Sequence, residues 1–271
     1  MKTVRRTIVP GCGLMGSAII RELHRKGQSV VAWNRSHAPL EALSERHPTD
    51  TDLEFAVDGC DAIIVVLSSY SAARSVLGSL KAASLAGKTV INLTSGSAEK
   101  AAEMCTWPAS VGIDYLDGSI WALPSMIGGS TTVISCAGPE NVWEQVESLM
   151  KAVGGASFHA GEAIEIGNVH EACFLGAFYM TAQHCFIESV ARARQSGIDF
   201  QTIAPAVAPS IDLLGTSLDD LVRKLMQNDE TADETRWTYG TMQRKHIEIQ
   251  PATMAPRVRS LIFSSSSSIP L

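Results

Sequence analysis

Over the first 160 residues the apolar positions fall into short unbroken runs separated by polar stretches that carry glycine. Thr7 to Val9, Ser29 to Trp33, Ala62 to Ser68 and Lys88 to Leu93 read as strands. A run that is apolar throughout, with no polar alternation, predicts a strand covered on both faces. Asp114 to Ile120, Thr131 to Cys136 and Ala156 to His159 are further strands. Helices are expected over Ser17 to Lys26 and roughly over 70–86, 97–111 and 139–153. This alternation predicts an α/β domain with a doubly wound, mostly parallel sheet over residues 1–161. Ligands of such a sheet lie outside the carboxyl ends of its strands. Asn34, Leu67-Ser68-Ser69 and Asn92-Leu93-Thr94 all fall at such ends.

After Gly161 the pattern changes. Residues 162–196 hold no proline, are mostly apolar, and end at Gly197. They predict one helix about 50 Å long, which one small domain cannot cover. It is expected to join the first domain to an all-helical domain spanning 162–250, or to pack on a second subunit. Further helices are expected over 199–226, with Pro205 and Pro209 as candidate breaks, and over 231–248. Residues 251–271 contain three prolines and the run Ser264 to Ser268, and read as a poorly ordered tail.

The first strand runs into Gly11-Cys12-Gly13-Leu14-Met15-Gly16. In Gly-x-Gly-x-x-Gly the first glycine permits the turn and the second lets the backbone approach a pyrophosphate. The third lets helix and sheet pack closely. The helix start offers free N–H groups and a positive dipole end to the phosphates. Between a strand and a helix, this predicts a dinucleotide-binding Rossmann domain with Gly11, Gly13, Leu14, Met15 and Gly16 at the cofactor. The next strand ends in Asn34-Arg35-Ser36, where NAD-specific domains carry an acid that reads the ribose hydroxyls. A guanidinium and a hydroxyl suit a 2′-phosphate instead, so the expected cofactor is NADPH/NADP. Leu67, Ser68 and Asn92 complete the cofactor-binding candidates.

Composition narrows the class. The chain has 271 residues, 45% apolar and 18% charged, with a net charge of −6. That balance argues against a nucleic-acid partner, and no apolar run reaches the length of a membrane span. The basic N-terminus leads straight into the first strand and does not read as a signal peptide. The six cysteines show no metal-ligand spacing and read as reduced thiols of a cytoplasmic protein. No metal site is expected.

Three stretches carry a resemblance. They are Asn92-Leu93-Thr94-Ser95-Gly96, the segment Asp117 to Gly128 (DGSIWALPSMIG), and Val169 to Tyr179 (VHEACFLGAFY). Together they resemble imine reductases, and within them the fungal reductive aminases, relatives of β-hydroxyacid and 6-phosphogluconate dehydrogenases. The resemblance covers about residues 6–245. It implies an NADPH-dependent reduction of imines or iminium ions, a Rossmann domain joined by a long helix to a helical domain, and a homodimer whose active site is shared between subunits. It assigns catalytic roles to Asn92, Glu171 and Tyr179, and places Met242-Gln243 in the substrate pocket. Trp121 and Met126 are further pocket candidates. Ala206 stands where reductive aminases commonly carry an aromatic residue, and the serine-rich end replaces ordered helices of the relatives.

Glu171 separates the substrate classes. β-Hydroxyacid dehydrogenases use a lysine in the corresponding helix, which suits an alkoxide and repels an iminium; a carboxylate reverses that sign. At ~4 Å and an effective dielectric near ~20, a charge pair is worth about 4 kcal/mol before desolvation. Read from the residues alone, Glu171 is also compatible with a solvated surface acid, Tyr179 with an ordinary core tyrosine, and Asn92 with a helix cap. His170 is expected to pack rather than react. Two alternatives remain: a catalytically impaired NADPH-binding protein, and a β-hydroxyacid dehydrogenase.

Overall fold

The computed structural model describes residues 4–44 and 48–226. The chain divides into two compact units, Met1–Thr181 and Ala182–Leu271. In the first, the strands are β1 (Arg6–Pro10), β2 (Ser29–Trp33), β3 (Thr49–Asp50), β4 (Ala62–Val65), β5 (Thr89–Asn92), β6 (Asp114–Trp121), β7 (Val133–Ala137) and β8 (Phe158–Gly161). They form one sheet in the order β3-β2-β1-β4-β5-β6-β7-β8. All neighbours run parallel except β6 and β7, which are antiparallel. Helices α1 (Leu14–Arg25), α2 (His37–Ser44), α3 (Leu53–Val57), α4 (Tyr70–Gly78), α5 (Ala82–Leu85), α6 (Ala98–Val111) and α7 (Glu140–Val153) connect them. The predicted doubly wound α/β sheet is present. The helix expected over 70–86 is two, α4 and α5, separated at Ser79–Lys81.

Successive strand residues point to opposite faces, and the core divides accordingly. Val9, Val30, Ile64, Ile91 and Leu116 pack with α1 and α7 on one side. Ile8, Val31, Ile63, Val90 and Tyr115 pack with α3, α4 and α6 on the other. Burial on both faces is why these segments read as continuous apolar runs. Helix α1 stops where predicted: Gly27 has φ +75°, and its N–H and that of Gln28 bond the carbonyls of His24 and Leu23 at 2.9 Å, closing the last turn through a left-handed residue.

The long segment after Gly161 departs from one regular α-helix. Helix α8 begins only at Ile166 and ends at His170; Glu171–Tyr179 then forms a π-helix, and α9 runs over Met180–Gln195. A π-helix bonds i to i+5 and its turn is wider than α. Glu171 and Tyr179, at its two ends, are therefore set around the axis by this wider turn.

In the second unit α9 ends at a glycine of φ +83°, Gly197. Asp199 caps α10 (Phe200–Met226) by accepting the Thr202 N–H at 2.8 Å, and these hydrogen bonds hold its carboxyl below the usual value. Pro205 and Pro209 lie inside α10 without breaking it, contrary to the break their chemistry predicts. The expected helix over 231–248 and the serine-rich end lie outside the described residues. No helix among the described residues is long and apolar enough to cross a membrane.

Candidate active site

Two clefts open at the carboxyl edge of the sheet. The first is built by the glycine turn and the end of β2. Gly11 has φ +112°, and a Cβ there would lie 2.3 Å from the Val66 carbonyl oxygen; one on Gly16 would lie 1.8 Å from the Gly11 oxygen. Only glycine fits either position. A Cβ on Gly13 would meet nothing within 4 Å, so the side facing an approaching ligand is open. Helix α1 starts behind it with no side-chain cap on Gly13, leaving its first amides available to an anion. Leu14 at the helix start is 84% exposed.

Asn34 ties this turn to the end of β2. Its Oδ1 accepts the Cys12 N–H at 3.1 Å, and its Nδ2 donates to the Ser36 Oγ at 2.9 Å and carbonyl at 3.0 Å. Ser36 and the exposed Arg35 border a cleft of about 440 Å³ with Leu67, Ser68, Ser75 and Ser79. Among the described residues, one guanidinium and four hydroxyls line it, with no carboxylate. The turn and this cleft fit a dinucleotide. Ser75 and Ser79, on and just after α4, were not foreseen; their i, i+4 spacing was the available signal.

The second cleft, about 950 Å³, brings Trp121, Met126, Glu171 and Tyr179 together with Gly96, Leu123, Phe174 and Phe178. Its wall is largely apolar, and Glu171 is the one carboxylic side chain among its described lining residues. The Glu171 Oε2 is shielded from solvent and meets no hydrogen-bond donor among the described residues. Trp121 is held by its indole N–H, which donates to Ser119 Oγ at 2.8 Å. His170 packs between Trp121, Phe158 and Phe174, with ring centroids 6.0–6.2 Å apart. The segment Pro124–Gly128 seats on α1: Gly128 has φ +87° and abuts the Glu22 carboxyl, which leaves no room for a Cβ.

Asn92 is elsewhere. It is fully buried, with Nδ2 donating to Asp117 Oδ2 at 3.0 Å and Oδ1 accepting the Thr94 N–H at 3.3 Å. Asp117, also fully buried, accepts two more bonds: Tyr70 OH to Oδ1 at 2.5 Å and Tyr115 OH to Oδ2 at 2.6 Å. Burial, opposed by these three donors, leaves its carboxyl raised to about 6. Burial and the neighbouring carboxylate push both tyrosine hydroxyls up. Asn168 extends the network, donating to Tyr70 OH at 3.0 Å and to the Gly96 carbonyl at 3.1 Å. Tyr70, Tyr115, Asp117 and Asn168 were missed as a group. An acid in the middle of an apolar strand, two residues after a tyrosine on the same face, was the signal. Met242 and Gln243 lie outside the described residues. Among those residues no three His, Cys, Asp or Glu side chains gather as a metal-ligand set.

The family described as the NAD binding domain of 6-phosphogluconate dehydrogenase matches residues 7–161. The chain belongs to that family. The resemblance to imine reductases is also borne out. An NADPH-dependent reductive aminase from Aspergillus oryzae is 27% identical over 201 residues, 73% of this chain and 67% of that protein. An imine reductase from Myxococcus stipitatus, solved in complex with NADP+, superposes with a TM-score of 0.73 at 28% identity, covering 83% of this chain and 78% of that one. The cytokine-like nuclear factor N-PAC of Mus musculus is 26% identical over 231 residues, 82% of this chain but only 40% of that protein.

Proposed function

We propose that this chain is an NADPH-dependent oxidoreductase that reduces imines or iminium ions to amines. The observation that carries the reading is Glu171: a shielded carboxylate oxygen with no hydrogen-bond partner among the described residues, in the wall of a largely apolar cleft. Burying an unpaired carboxylate is costly, and a cationic substrate nitrogen beside it offsets that cost. A lysine at this position, as hydroxyacid chemistry uses, would repel the same cation.

Bound NADPH supplies a hydride. Arg35 and Ser36 hold the 2′-phosphate, and the α1 amides with Gly13 hold the pyrophosphate. Glu171 donates the proton that turns an imine into an iminium, then stays beside the cation as a carboxylate. Tyr179 borders the same space and orients the nitrogen. Trp121, Phe174 and Met126 give the nitrogen an apolar surround, and covering the exposed faces of Phe174 and Met126 by a second copy would strengthen the Glu171–cation attraction. Asn92 acts from below, by fixing Asp117 and the Thr94 turn.

Residues 1–161 form the cofactor domain and the remaining helices the substrate and assembly part. Large exposed apolar side chains recur there, among them Phe186, Ile187, Ile211 and Leu213, and we propose that a second copy of the chain covers them. Sedimentation with NADPH is expected to give twice the chain mass; a well-folded monomer would remove the shared-site arrangement.

The test of the function is turnover. Purified protein with NADPH is expected to lose NADPH absorbance on addition of cyclic imines or ketone–amine pairs. Tight NADPH binding without turnover across such a panel would favour a cofactor-binding protein instead. Oxidation of hydroxyacids would favour the dehydrogenase.

A further inference from the structure

Asp117 takes no part in the cleft wall, yet the fold directs three polar side chains at it. Its two oxygens receive Tyr70 OH, Tyr115 OH and Asn92 Nδ2. The O–H to carboxylate distances, 2.5 and 2.6 Å, are those of hydrogen bonds to an ionised acceptor. Among the described residues no lysine, arginine or histidine forms an ion pair with it. The site is therefore built to hold a buried negative charge by neutral donors alone. Such a charge keeps a long reach, because no counter-ion cancels its field and the surrounding medium screens it weakly.

The network that holds this charge reaches the cleft. Tyr70 and Asn168 connect Asp117 to the Gly96 carbonyl. Gly96 lines the cleft, and its Cα is pressed so closely on the Tyr70 ring that an added Cβ would sit 2.5 Å from the ring carbons. The network thus lies one layer beneath the wall. Glu171 is near enough that its charge acts on both Asp117 and Tyr70. The other titratable groups around Asp117 are Tyr115 on its own strand, Cys136 on β7 and Cys105 on α6, and Glu165 also acts on Cys105.

We propose that Asp117 is a second negative charge for the substrate cleft, held one layer beneath Glu171, that favours a cationic nitrogen in the cleft without touching it. This rests on reading the cleft as an imine site. Two acids in tandem explain why a carboxylate without a counter-ion is retained in a central strand: its desolvation is offset when the cleft holds a cation. It also divides the labour. Glu171 can give up or take a proton at the nitrogen while Asp117, held by three donors, keeps the site negative throughout. Asp117 remains charged above about pH 6, so the effect belongs to neutral and alkaline conditions.

The test compares two ligands of one shape, an N-methyl dihydroisoquinolinium salt and its neutral carbon isostere, a methyl-dihydronaphthalene. Each is titrated into the full chain with NADP+ present. The wild-type protein is expected to prefer the cation. If it shows no such preference, the imine reading falls, and this proposal with it. Asp117→Asn is expected to shrink the preference on the order of ten-fold while the affinity for the neutral isostere stays unchanged. An unchanged preference, or equal weakening of both ligands, would overturn the role of Asp117 and leave the imine reading standing. Should Asp117→Asn fail to fold, the Glu171→Gln protein decides. Its remaining preference is expected to fade as pH drops through a midpoint below the parent's value of about 6, because the Glu171 charge that helps raise Asp117 is gone, and adding Tyr115→Phe is expected to move that midpoint upward, because one donor to the carboxylate is gone. A preference that does not titrate, or a midpoint that Tyr115→Phe leaves in place, overturns the proposal.

Discussion

The two clefts share one edge of one sheet but use opposite physics. The cleft at Arg35 and Ser36 is polar, and the glycine turn beside it is formed by backbone: Gly11 and Gly16 admit no Cβ, and Gly13 leaves its flank open. Its charge, Arg35, is exposed, so its attraction to a phosphate is screened by water and salt. The cleft at Glu171 is apolar and formed by side chains, with one acid in its wall and another buried behind it. There each charge is costly to bury and strong once buried. Solvated donors suit a polyanion that has to be captured and released. A dry acid suits the stabilisation of a cation during reaction.

The largest effect that tests this contrast is expected at Glu171. Glu171→Gln keeps the shape and removes the charge and the proton. The rate of imine reduction is expected to fall about 100-fold or more, the usual range for losing a positioned acid or base, with NADPH affinity nearly unchanged. Steady-state kinetics with a cyclic imine, alongside NADPH titration, measures both. If the glutamine variant matches the parent, the apolar cleft is not where the chemistry happens.

Asp117 gives the next effect, seen in stability. Its carboxyl is raised from 3.8 to about 6, so between those values the folded state holds a proton that the unfolded state has lost. The contribution to stability is fully present below about pH 4 and is lost as pH rises through about 6, a change of about 3 kcal/mol. Urea unfolding from pH 4 to 7.5 is expected to show this loss in the parent and not in Asp117→Asn. Parallel pH curves for the two proteins would mean that Asp117 carries no buried charge.

At the polar cleft the expected change is smaller and selective. Arg35→Asp replaces the guanidinium with the acid that reads a free ribose. It is expected to cost NADPH binding about 1.5–3 kcal/mol, the value of a hydrogen bond to a charged group, while NADH binding holds or improves. Fluorescence titration with both cofactors checks it. Equal affinity of the parent for the two cofactors would remove the phosphate assignment.

The clefts also differ in how far they could be read in the sequence. The glycine turn is legible because its logic is local: six consecutive residues between a strand and a helix, and three more at the next strand end. Glu171, Tyr179, Trp121 and Met126 came from resemblance, since nothing in their spacing alone separates a pocket wall from a surface. Of the Asp117 network, only the acid two residues after Tyr115 was legible. Its partners lie 47 residues away at Tyr70 and 25 at Asn92, and Asn168 bonds Tyr70 from 98 residues along the chain. Only the parallel order of β4, β5 and β6 brings them together. The π-helix at Glu171–Tyr179 was missed for a related reason. Its residues are good helix formers by pattern, and hydrophobic periodicity does not report a widened turn.

The smallest expected effect joins the two regions. Ser69 ends the β4 turn beside the polar cleft, and its side chain caps α4 by accepting the Ala72 N–H at 3.2 Å. The first residue of α4 is Tyr70, whose hydroxyl donates to Asp117. Ser69→Ala removes the cap, which costs about 1 kcal/mol, and loosens the turn that aims Tyr70. Global stability is expected to fall by that amount. If the cap serves only the helix, imine kinetics with saturating NADPH stay as they were. If it also holds the acid network in place, the pH at which cation preference fades shifts upward, because Tyr70 then stabilises the Asp117 carboxylate less. Thermal unfolding reads the first quantity, and titration of the dihydroisoquinolinium salt across pH 5 to 8 reads the second. A loss of about 1 kcal/mol with no shift in that midpoint would mean that the two clefts are neighbours on one sheet edge with no energetic link through α4.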